Sequence, residues 1–293
     1  MIRSLLLLSL AACTSSASDD SATGKDSSDD SGSAEAHAKN GLPVGTSSWS
    51  GRGEMNDFPF EFVVELTNEG GELAGVVTVT ETSDSNLGFG TGVFSVTGTH
   101  EPGSGLVALA PEAWIQTPDL SAELIGYAGT YDPDANAIVG MTVDYASADA
   151  NFLTGGPTTL NRDSGDGAPL DFGDLGKALP TGTRAFTGTQ QCTSGVRETE
   201  GELSYDGAGA LSGSITFGDY TLAEGPQTFA VTGVHNPSTG RITLVPGLYT
   251  VTTEHSLKTF FVEATYDPAA DRFNGEGRIS DGSCPDDYWQ AAF

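Results

Sequence analysis

Two passages of this chain repeat each other at a constant spacing of 135 positions. Phe94-Ser-Val-Thr-Gly-Thr-His100, followed by Glu-Pro-Gly-Ser-Gly105, returns as Phe229-Ala-Val-Thr-Gly-Val-His235, followed by Asn-Pro-Ser-Thr-Gly240. Each copy continues through a proline (Pro111, Pro246) and an aromatic residue (Trp114, Tyr249) to Thr-Tyr-Asp-Pro, at Thr130 to Pro133 and Thr265 to Pro268. A gapless match of about forty residues restricts the chain to folds in which one unit occurs twice, and it divides the 293 residues into two domains.

The unit is built from strands. Phe58, Phe60, Phe62, Val64 and Leu66 alternate with Pro59, Glu61, Val63 and Glu65, a period of two that gives one strand an apolar face. Leu73, Val77 and Val79, then Phe94 and Val96, then Val107 and Leu109, then Ile125, Tyr127 and Tyr131, then Val139, Met141, Val143 and Tyr145 continue the rule. Turn residues separate them at Asn68-Glu-Gly-Gly71, Glu101-Pro-Gly-Ser-Gly105 and Asp132-Pro-Asp-Ala-Asn136. No stretch has a helical period. With Ser48 to Arg52 at the start and Thr158 to Arg162 at the end, each unit holds about eight short strands, which bury their apolar faces by closing into an antiparallel up-and-down β-barrel or pairing as a β-sandwich. Closure also removes the sheet edges, so two tandem all-β barrels are the expected fold. The division is 45–162 for the first, 163–183 for a linker and 184–293 for the second. In the second unit the strand near Val196 to Tyr205 is far more polar than its Phe58 counterpart, so the two cores are expected to differ.

The N-terminus carries a targeting pattern. Arg3 precedes the apolar run Leu5 to Leu10, and Leu10-Ala-Ala-Cys13 ends it, too short a segment to cross a bilayer. It resembles a bacterial lipoprotein signal, which implies removal of residues 1–12 and lipidation of Cys13. Thr14 in place of Asp favours the outer membrane, with the protein facing the periplasm or the cell surface. Residues 13–44 then form a tether. The stretch 14–40 consists largely of Ser, Asp, Ala and Gly, cannot offset its ordering entropy, and reaches about 30 Å as a coil. The remaining cysteines, Cys192 and Cys284, lie in the second unit, and in an oxidising compartment a disulfide between them is expected to contribute about 4–5 kcal/mol.

Net charge is −28, of which −25 falls on residues 41–293. Such an excess repels nucleic acid and anionic lipid headgroups and leaves cations and basic proteins as partners. The sequence lacks Gly-x-Ser-x-Gly, His-Glu-x-x-His, a phosphate loop and a dinucleotide fingerprint, and no cofactor or metal site is indicated. Asp132-Pro-Asp134-Ala-Asn136 begins like a calcium loop, but Ala137 and Val143 stand where Gly and Glu would be needed, so an Asp-Pro turn is expected. His100 and His235 occupy matched positions at strand ends, to bond turn backbone or to pair with a carboxylate in a cup. Trp114 and Tyr249, at matched places expected just past a strand, are the aromatic candidates for a barrel-mouth ligand.

Trp49-Ser-Gly51, Leu73-Ala-Gly-Val-Val77, Phe94-Ser-Val-Thr-Gly98, Gly129-Thr-Tyr-Asp132 and Arg162 together resemble the small calycin-type barrels of the avidin and lipocalin kind. That resemblance implies an up-and-down barrel in which Arg162 covers Trp49. The second unit has Phe186 in place of the tryptophan and no arginine in sequence near Phe293. The leading expectation is a non-enzymatic cell-envelope lipoprotein whose barrels bind a glycan, small apolar ligand or basic protein, or act as surface structure. A lipocalin-like carrier and a hydrolase or enzyme inhibitor working through barrel-mouth loops are the alternatives.

Overall fold

The alternating residues do close on themselves, twice. In the computed structural model the described residues are 40–293 apart from 56–57, 86, 121–123, 144–155, 172, 193–194, 219–226, 252–259 and 280–287. The first barrel runs β1 (Gly45–Met55), β2 (Phe58–Glu69), β3 (Glu72–Glu81), β4 (Thr91–Glu101), β5 (Leu106–Gln116), β6 (Gly126–Asp132), β7 (Ala137–Val143) and β8 (Pro157–Ser164). The second runs β9 (Gly182–Cys192), β10 (Gly195–Tyr205), β11 (Ala210–Phe217), β12 (Gln227–His235), β13 (Arg241–Val251), β14 (Phe260–Asp267), β15 (Arg272–Ile279) and β16 (Tyr288–Ala292). Within each barrel every strand pairs antiparallel with its sequence neighbours, and β1 with β8 and β9 with β16 close two eight-stranded barrels. Closure leaves neither sheet with a free edge strand.

The duplication extends to irregularities of the backbone. The β4–β5 ladder slips around Phe94, and the β12–β13 ladder slips around Phe229. Asn136 and Asp271 take left-handed φ values of 52° and 49° at matched turns, and Gly105 and Gly240 take 77° and 78°. Such positions are set by the turn and not by the core.

Inside the first barrel Trp49, Phe62, Val64, Phe94, Leu109, Ile138 and Leu160 are buried, with Phe60 and Phe89 meeting edge to face at 5.1 Å. Two expectations need correction. Phe58 lies at the rim and is 36% exposed. On β7 the alternation was read on the wrong face: Val139 and Met141 point outward, 51% and 54% exposed, while Ile138 and Thr142 point in. Tyr145 lies outside the described residues.

The second core makes good its polar β10 with aromatic side chains from other strands. Phe217 and Phe229 stack at 5.7 Å, Phe217 meets Phe260 edge-on at 4.6 Å, and Trp289 packs against Phe186 and Phe273. Gly201 on β10 leaves the room that the Phe186 ring occupies. Trp49 and Arg162 are register partners across the β1–β8 seam, and the ring that packs against Trp49 is Tyr131, edge-on at 5.9 Å. The second barrel has its own arginine after all. Arg184 of β9 lies over the Phe293 ring at 4.1 Å and makes a two-pronged ion pair with Asp271 at 2.6 and 2.8 Å. Space, not sequence proximity, brings it there.

Candidate functional site

An up-and-down barrel sends alternate connections to opposite ends. At one end of each barrel they are tight turns: Gly70-Gly71, 102–105 and 133–136 in the first, 206–209, 236–240 and 268–271 in the second. At the other end most are longer: 82–90, 117–125 and 144–156, then 218–226, 252–259 and 280–287. Long connections on a rigid scaffold are where binding residues concentrate.

The two histidines belong to the tight-turn end. Each ring is completely buried. His100 Nε2 accepts from the Leu42 N–H at 2.8 Å, and its Nδ1 donates to the Leu106 carbonyl at 3.0 Å. His235 repeats this with the Leu179 N–H at 3.2 Å and the Arg241 carbonyl at 3.3 Å. One nitrogen accepting and the other donating defines a neutral ring, and burial pushes both pKa values down to about 4. Their job is to pin the segment that leads into each barrel. Asn68 assists by donating to the Leu42 carbonyl at 3.0 Å, and Asn40 donates to the Gly103 carbonyl at 2.9 Å. The root of the N-terminal segment is therefore fixed at the end opposite the long connections. The 163–183 segment runs along the same end, with Leu170 N–H bonded to the Leu42 carbonyl and Lys177 N–H to the Pro237 carbonyl.

The aromatic candidates sit on strands, not in loops beyond them. Trp114 of β5 is half-buried, and its ring meets Phe94 edge-on at 5.3 Å across the bulge. Tyr249 holds the matched register position opposite Phe229 on β13. Asp132 accepts backbone N–H bonds from Asp134 and Ala135, capping its own turn as expected of Asp-Pro. Cys13 and Cys284 lie outside the described residues, and Cys192 is the last residue of β9.

Little room remains inside the first barrel. Its apolar cavity, lined by Phe62, Phe94, Tyr127, Leu160 and neighbours, amounts to about 20 Å³, the space of roughly one water. The larger concavities are outside. On β9, β10 and β16, Thr187, Thr189, Glu198, Glu200 and Gln290 line an open groove of about 610 Å³ with Arg272 at its side. The matched position in the first barrel is bridged by the exposed Arg52–Glu61 ion pair at 2.8 Å, where the second barrel sets Thr189 opposite Glu198. A second groove of about 400 Å³ lies beside the 82–90 connection. There the Glu81 carboxylate takes hydrogen bonds from the Ser85 hydroxyl and the N–H groups of Leu87 and Phe89, which holds its pKa below the usual range despite the opposing effect of desolvation.

A buried carboxylate escaped the sequence reading. Glu263 of β14 lies between the barrels, accepts from the Thr97 hydroxyl, and faces Arg278 at 3.2 Å and Arg241 at 3.7 Å. Burial raises its pKa against the pull of those partners. Its signal was the run Phe260-Phe-Val-Glu-Ala264, buried on both faces where a strand with one wet face would alternate.

By fold the chain is a tandem pair of eight-stranded barrels of calycin-like form. Comparison with protein-family models, curated proteins and solved structures returns no match.

Proposed function

We propose that this is a non-enzymatic cell-envelope lipoprotein that binds ligands on the outside of its barrels while a lipid on Cys13 holds it to the outer membrane. The observation that carries this reading is the placement of Asn40 and Leu42 at the tight-turn end, bonded to Gly103 and His100. A chain anchored through residues 13–39 would turn that end toward the membrane and the long connections away from it. The filled first barrel argues against a carrier of the lipocalin type, since drug-sized ligands need some 300 Å³ or more. The surplus of acids favours a cationic or hydroxylated ligand over an anionic one.

Cells fed radioactive fatty acid should label the wild-type protein and not Cys13→Ala. Equal labelling would refute the anchor. A screen of glycans, metabolites and basic proteins on residues 41–293 should then find saturable binding with no turnover, and turnover of any of them would replace this reading with the enzyme.

An exported chain would also join Cys192 to Cys284. Gln190 pairs with Trp289 across the β9–β16 seam, with Cys192 two residues past Gln190 at the end of β9 and Cys284 five residues before Trp289 in the sequence. Alkylation without reductant should leave both thiols unmodified by mass spectrometry. Two alkylated cysteines would remove the bridge.

A further inference from the structure

The barrels meet through equivalent strands, and the contacts exchange. Thr99 of β4 bonds Thr243 of β13 at 2.8 Å. The residues 135 positions away from these two, Val234 and Ala108, pack together in the apolar cluster between the barrels, with the matched pair Ala110 and Val245. At the tight-turn end Gly71 lies under Asn236, whose Nδ2 donates to the His100 carbonyl at 2.9 Å. The counterparts obey the same rule, Gly209 lying under Glu101. Residue i meets j, and the copy of j meets the copy of i, which is the signature of a two-fold interface. Tight-turn end touches tight-turn end, and Phe261, near the other end of β14, touches Gly126 at the start of β6. The two long-connection ends therefore face the same way.

The two halves of this interface are no longer alike. The Phe261 ring occupies the space where a side chain at Gly126 would stand, and these two are matched positions. Glu263 and Arg278 correspond to Ala128 and Val143. Arg278 reaches across to the Thr97 hydroxyl at 3.0 Å and to Glu112 at 3.2 Å. Among the described residues no ion pair runs the other way, because the first barrel has Ala128 and Val143 there.

We infer that the β4–β5–β6 face of the first barrel is a pairing surface for a second barrel of the same repeat. It retains the geometry of a homodimer but is specialised as seat and knob, so that the first barrel fits the second and neither fits itself. Two second barrels would bring Phe261 against Phe261 with no Gly126 seat, and two first barrels would leave facing Gly126 positions empty. The linker then serves to keep the right pair together, and the interface holds both long-connection ends as one face.

The test cuts the folded chain. A protease site is inserted beside the exposed Leu175, the native protein is cleaved, and the products are sized by chromatography with light scattering. The cut wild type should run as one species with the mass of the intact chain. Gly126→Phe, which fills the seat, and independently Val245→Asp, which buries a carboxylate in the apolar part, should each separate into two species of single-barrel mass, with far-UV circular dichroism still of β type. Wild-type halves that run apart, variant halves that stay together, or a lone barrel that runs at twice its mass would overturn the inference.

Discussion

Phe229→Ala is expected to cost about 3–5 kcal/mol, the range for removing a fully buried aromatic ring from a core that cannot collapse around the void. Phe229 is buried, stacks on Phe217 and contacts Phe260 edge-on at 6.4 Å. It stands at the β12–β13 bulge opposite Tyr249, and a bulge fixed by two ladders gives the backbone little freedom to move inward. The loss should appear in urea melts as a lower midpoint. Phe94→Ala should cost a comparable amount in the first barrel, because Phe94 occupies the matched bulge and is equally buried. A change below about 1 kcal/mol at either position would mean that the two rings are not the equivalent core residues described above.

The second large effect comes from acid. Each histidine is neutral when folded, with a pKa moved from 6.5 down to about 4 by burial. In the unfolded chain the same ring takes up a proton as pH falls below 6.5, while the folded ring resists. Stability is therefore full above pH 6.5 and declines as pH drops toward 4, by about 3 kcal/mol for each ring. His235 also packs edge-on against Tyr205 at 5.2 Å. Glu263 acts in the opposite sense. Its raised pKa means that the folded state takes up a proton more readily than the unfolded chain, which offsets part of the loss. In a His100→Gln, His235→Gln variant the amide still accepts from the leading segment and donates to the turn carbonyl, but it does not titrate. Urea midpoints measured from pH 7 to 4 should fall steeply for the wild type and much less for the variant. Parallel curves would show that the histidines are not the acid-sensitive groups.

The fold was largely legible because an antiparallel barrel with a dry inside and a wet outside writes period two into its strands. Phe60, Phe62, Val64 and Leu66 on β2 are the plain example, each buried at its place in the alternation. The reading failed where a strand has no wet face or no apolar one. On β7, Gly140 and Thr142 occupy the inner face, so Val139 and Met141 were the more conspicuous residues although they face out. On β5 and β14, Ala108, Ala110 and Phe261 are covered by the other barrel, and an apolar run without alternation was the only trace of that contact.

The site was less legible, for a related reason. Repetition at 135 residues singled out His100 and His235, but their partners Leu42 and Leu179 are backbone groups 58 and 56 positions away. A backbone donor has no sequence signature. The same holds for Arg184, which reaches Asp271 across 87 positions and with Tyr266 holds that carboxyl down near 2. Grooves on an outer barrel surface depend on which strands carry Thr and Gly side by side, and only the register discloses that.

Closure of both sheets is tested most directly by native hydrogen–deuterium exchange at the two seams. In the β1–β8 ladder (Trp49 to Arg52 with Thr159 to Arg162) and the β9–β16 ladder (Thr187 to Gln190 with Trp289 to Ala292), alternate amides point across the seam. They should be protected to the same degree as those of the interior β3–β4 and β11–β12 ladders. Seam amides that exchange as fast as the tight turns, while the interior ladders stay protected, would mean open sandwiches in place of closed barrels.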